Sequence, residues 1–128
     1  MRVKIASSPG KDGFFTVAPH GPIDSDTYLE FQNSITSLLV KSTKGICMDL
    51  EGVDYISSAG LGVFFNVNKF LAQNNGTLIF SNLKPQIKRL FEIVKALPPQ
   101  ILIENAAEAD AYFYKMMNEE IERQKEKS

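Results

Sequence analysis

The chain has 128 residues, enough for one domain whose core needs no metal or disulfide to hold it. Its 14 basic and 15 acidic residues nearly cancel, which argues against nucleic acid or an anionic membrane as the main partner, since both call for a basic surface. A single cysteine, Cys47, rules out an internal disulfide and points to a reducing compartment, and with a single histidine, His20, it cannot assemble a zinc site of the usual kind.

In chain order, Arg2 to Ala6 alternates charged and apolar residues, and Phe14 to Ala18 is aromatic and β-branched. Both read as strands, and the turn residues Ser8-Pro9-Gly10-Lys11-Asp12-Gly13 between them predict a hairpin. His20, between Pro19 and Gly21, reads as a surface or turn residue. Asp24-Ser25-Asp26 then precedes an apolar stripe of Tyr28, Phe31, Ile35, Leu38 and Leu39 at helical spacing. An acidic or hydroxyl side chain there caps free backbone N–H groups, and the helix is expected to end near Ser42.

Gly45 to Leu50 is a short apolar run that reads as a buried strand, with Cys47 as a small core residue. After the connection Glu51 to Ile56, Ser57-Ser58-Ala59-Gly60 opens a second helix that ends at the C-cap signal Asn74-Asn75-Gly76. Its Phe64-Phe65 pair is expected to be buried. Thr77 to Phe80 predicts another strand. Pro85 begins a helix with the stripe Ile87, Leu90, Phe91 and Val94. Pro98-Pro99 breaks the chain, Ile101-Leu102-Ile103 reads as a last short strand, and Asn105 caps a final helix. In that helix Ala106, Ala109, Phe113, Met116 and Met117 can pack inward, and Ile121 can extend the same face. Residues 119–128 are nearly all charged and read as a solvated helix end. The order ββ-αβ-αβ-αβ-α defines an α/β domain, a mixed sheet of about four to five strands with helices packed against it. No run approaches the roughly 20 apolar residues that span a bilayer, and no targeting segment is visible at the amino terminus. The expected location is the cytoplasm.

One stretch stands out: Met48-Asp49-Leu50 at a strand end, a loop, then Ile56-Ser57-Ser58-Ala59-Gly60-Leu61-Gly62-Val63 at a helix start. A helix amino terminus carries unpaired N–H donors and partial positive charge, and tolerates phosphate. Ser57 and Ser58 can also be read as plain N-caps. Two glycines in a first turn cost helix stability; they call for tight packing inside the fold or close contact with a partner. Nucleotide loops do not fit. The third glycine of GxGxxG is missing after Gly62, and no GxxxxGK[ST] occurs.

These residues, with their order and spacing, resemble the STAS family, specifically its anti-sigma factor antagonists. Gly21-Pro22-Ile23-Asp24 is similar to the family's segment before the first helix. Gly76-Thr77-Leu78 and Pro85 to Phe91 resemble later parts, and the likeness runs over about residues 12–114 of a single domain, 1–128. The resemblance implies that the unphosphorylated chain binds an anti-sigma factor that is also a serine kinase, and so frees a sigma factor. Phosphorylation then ends binding and a phosphatase resets the switch. It places the acceptor at Ser58, with Ser57 as the alternative, and a partner-binding face on Asp24, Ser57, Ser58, Ala59, Gly60 and Gly62. Two positions depart from the pattern: Ser57 stands for the usual Asp, and Ala59 for a second Ser or Thr. With one His, one Cys and no nucleotide loop, few catalytic constellations can be built, so the chain is read as a non-enzyme, and no cofactor is expected. A small-ligand-binding or transport-associated STAS module is the alternative reading.

Overall fold

The computed structural model describes residues 1–94 and 106–127, the side chains of the last stretch only over 111–126. Strands β1 (Arg2–Ser7) and β2 (Phe14–His20) form the expected hairpin. β3 (Gly45–Asp49) and β4 (Thr77–Ser81) complete a four-stranded sheet in the order β1-β2-β3-β4, antiparallel only between the first two. β2 runs past Ala18 through Pro19, which pairs with Val3, and ends at His20, exposed as expected. The helices are α1 (Tyr28–Ile35), α2 (Ser58–Gln73), α3 (Pro85–Val94) and α4 (Ala106–Lys127). The expected strand at Ile101-Leu102-Ile103, the Pro98-Pro99 break and the Asn105 cap lie outside the described residues.

Strand alternation selects the core. Ile5, Val17, Met48 and Phe80 lie in register across the sheet, and Val17 and Met48 are fully buried. Cys47 points the other way and is half-buried beside Ser81, its sulfur 3.4 Å from the hydroxyl, rather than in the core as expected. Phe64 of α2 is the hub of the interior. Its ring meets Phe31 of α1 edge-on at 5.6 Å and Phe80 of β4 at 5.3 Å, and Phe80 in turn meets Phe91 of α3 at 4.9 Å. Phe65, the next residue, is only half-buried, so the pair is not buried as a unit. The Phe65 side chain turns away from the buried face that Phe64 occupies.

α1 stops short of Ser42. The chain passes into a 3-10 turn over Thr36–Leu38 and closes there, the Leu39 N–H bonding to the Thr36 carbonyl. The Ser34 and Thr36 hydroxyls donate to the carbonyls of Glu30 and Gln32, the kind of competition with the backbone that weakens helices. α2 ends where expected, but the left-handed residue is Asn75, at φ 59°, while Gly76 donates to the Leu71 carbonyl at 2.6 Å. α4 stays helical through the charged stretch as far as Lys127, with Arg123 and Glu120 paired at 3.1 Å. Phe113, Met116 and Met117 are buried on its inner face.

Candidate functional site

The site is made by two loops stitched together by backbone. One follows β2 and carries Asp24. The other joins β3 to α2 and carries the two serines. The Gly21 N–H donates to the Gly52 carbonyl at 2.9 Å, and Ile23 N–H to the Tyr55 carbonyl at 3.0 Å. Ser57 N–H returns to the Ile23 carbonyl at 2.9 Å. Ile23 and Ile56 thus form an isolated parallel bridge, and both side chains are fully buried. Apolar anchoring beneath a polar surface loop explains why two chain segments so far apart in sequence meet here.

Asp24 organises its own turn. Its Oδ1 accepts from the backbone N–H groups of Asp26 at 2.9 Å and Thr27 at 3.1 Å. In return the Asp24 N–H donates to Thr27 Oγ1 at 2.9 Å, and the Thr27 hydroxyl donates to the Pro22 carbonyl at 2.7 Å. This reciprocal pairing closes the turn just ahead of α1, whose N-cap, Thr27, makes no side-chain cap bond of its own. Thr27 was absent from the residues singled out in the sequence, although its three-residue spacing from Asp24 carries the signal.

The two serines differ sharply. Ser57 is extended, at φ −89° and ψ 176°, and its Oγ accepts from the Gly60 N–H at 3.3 Å. It is the N-cap of α2 and only 3% exposed. Asp and Ser are both good N-caps, so Ser57 in place of the family's usual Asp keeps the cap while removing a charge. Ser58 is the first residue of α2 and is half-buried, with its side chain at the helix mouth. Ala59 beside it is also half-buried.

The two glycines separate in the same way. Gly60 is buried, and a Cβ there would lie 2.6 Å from the Ile23 carbonyl oxygen and 2.7 Å from its Cγ2. Its reason is tight packing within the fold, since only a bare backbone lets α2 approach the Ile23 backbone. Gly62 meets nothing within 4 Å of where its Cβ would stand. Asp24, Ser58, Ala59 and Gly62 are thus each partly exposed on the two stitched loops and the helix mouth, while Ser57 and Gly60 are buried. Among the described residues no group of three or more His, Cys, Asp or Glu could hold a metal ion, and no helix is long and apolar enough to cross a membrane.

Residues 6–109 match the STAS domain model, and the chain belongs to that family. It is 36% identical over 83 residues to the anti-sigma-B factor antagonist of Staphylococcus aureus strain NCTC 8325 / PS 47, an overlap covering 65% of this chain and 77% of the relative. In fold it is similar to the anti-sigma factor antagonist SpoIIAA in its unphosphorylated form, with TM-score 0.60 and 15% identity over 72% of this chain and 83% of that one. The phosphorylated form of SpoIIAA, from Bacillus, superposes with TM-score 0.57 at 15% identity, over 71% of this chain and 83% of that one.

Proposed function

We propose that this chain is an anti-sigma factor antagonist whose unphosphorylated form binds an anti-sigma factor with serine kinase activity, and that phosphorylation of Ser58 ends the binding. The observation that carries this reading is the placement of Ser58: within reach of solvent, at the amino end of a helix, on a backbone already pinned to the core. The name borne by the Staphylococcus relative supports it, and gives it preference over a small-ligand or transport-associated module.

The chemistry follows from the place. The kinase transfers the γ-phosphoryl group of ATP to Ser58 Oγ; the bond to ADP breaks, and the hydroxyl proton passes to a base on the kinase. The product adds about −1.5 to −2 charge and three acceptor oxygens. The partial positive charge at the start of α2 accommodates that charge, so the fold survives. A close, dehydrated partner surface without matching cations does not accommodate it, so the complex separates. A phosphatase hydrolyses the ester and restores the hydroxyl. Asp24, Ala59 and Gly62 complete the docking corner in this reading, while Ser57 and Gly60 serve it from below by holding the helix mouth in place.

The test is to incubate the protein with Mg-ATP and each purified serine-kinase anti-sigma factor encoded in its own genome, then map the modified residue by mass spectrometry. One phosphate on Ser58, with loss of the kinase complex, is expected. Modification at Ser57 alone, or no binding to any such kinase, would overturn the reading.

A further inference from the structure

The loop that delivers Ser58 is touched by a part of the chain outside the family match. Tyr55 lies two residues before the Ser57 cap and is half-buried. Its carbonyl accepts the Ile23 N–H at 3.0 Å, one of the bonds that tie the site's two loops. Its ring meets that of Tyr114 edge-on, with centroids 6.0 Å apart and planes at 67°. Tyr114 belongs to α4, beyond residue 109 where the STAS match ends, and is 59% exposed. α4 is itself anchored by Phe113, Met116 and Met117, all buried, so Tyr114 projects from a fixed base.

An aromatic this exposed adds little to the core, because truncating it opens no cavity. What the ring does is limit the orientations of Tyr55. We infer that Tyr114 is a positioning residue for docking at Ser58, acting through Tyr55. The inference rests on the proposed function above. In this arrangement Tyr55 is held from both sides, its carbonyl by the Asp24 loop and its ring by α4. The loop then meets the kinase already in its docking shape. Without the ring of Tyr114, part of the binding energy goes into fixing the Tyr55 side chain. The loss falls on recognition, since neither tyrosine is the group that receives the phosphoryl.

The experiment is steady-state phosphorylation of the full chain by the kinase that modifies the wild type, with KM and kcat measured separately. Tyr114→Ala should raise KM about two- to tenfold, the range set by edge-on ring pairs, with kcat little changed. Its circular dichroism and melting temperature should stay near wild type, and Tyr114→Phe, which keeps the ring, should restore KM. In the Tyr55→Ala background, Tyr114→Ala should have little further effect, because its route to the site is gone. An unchanged KM for Tyr114→Ala overturns the inference. So does an equal loss with and without Tyr55, which would mean that Tyr114 touches the kinase directly. Failure of every kinase to modify wild-type Ser58 overturns the proposed function and this inference with it.

Discussion

The start of α2, from its Ser57 cap to Gly62, has an inner and an outer side, each made of one serine and one glycine. On the inner side Ser57 caps the helix and Gly60 packs against the Ile23 backbone, and both are buried. On the outer side Ser58 is half-buried, and Gly62 has open space where a Cβ would stand. The same residue types therefore meet opposite demands. The inner pair is explained by the fold. The outer glycine is not explained by it, since it costs helix stability and gains no packing in return.

This contrast can be broken by substitutions at four positions. The largest effect is expected from Gly60→Val, which forces carbon into the Ile23 carbonyl and should destabilise the protein by about 3 kcal/mol in urea unfolding. Wild-type stability would show that α2 can shift and that the inner side is less tightly set than its geometry says. Next comes Ser58→Asp, which should weaken kinase binding at least about tenfold by calorimetry while leaving the circular dichroism spectrum unchanged. Undiminished affinity would remove charge as the switching principle. Ser57→Ala should cost about 1 kcal/mol of stability through loss of the cap. Restoration by Ser57→Asp would sharpen the assignment, since an acidic cap suits this position. The smallest effect is for Gly62→Ala, which should raise stability by up to about 1 kcal/mol in the free protein. A fall in stability instead would mean that the fold needs the outer glycine after all.

Much of this was legible before any coordinates. Capping residues and apolar stripes located α2, α3 and the start of α1 to within a few residues, because both signals are local. The hairpin was legible from the turn residues between its strands. The early end of α1 was not, since the stripe continued through Leu38 and Leu39 while the Ser34 and Thr36 hydroxyls drew on the helix carbonyls. Cys47 was misplaced because a short apolar run does not say which strand face meets the helices, and Phe65 because two adjacent phenylalanines look alike in sequence. At the site, the motif pointed to both serines and both glycines without dividing them. That division depends on the Ile23–Ile56 bridge, a contact between residues 33 apart that no local pattern announces. The Tyr55–Tyr114 contact spans a still longer separation and was invisible for the same reason.

Under the proposed function, the bridge at Ile23 also bears on how quickly a partner would recognise this corner. The two loops exchange backbone hydrogen bonds above buried isoleucines, so their surface is assembled before any encounter. A productive collision then need not wait for a segment to fold, and association can proceed at the pace of rigid-body docking. Under the proposed function, information would pass as a covalent mark on a surface already in place, and the signal would last as long as the ester bond does.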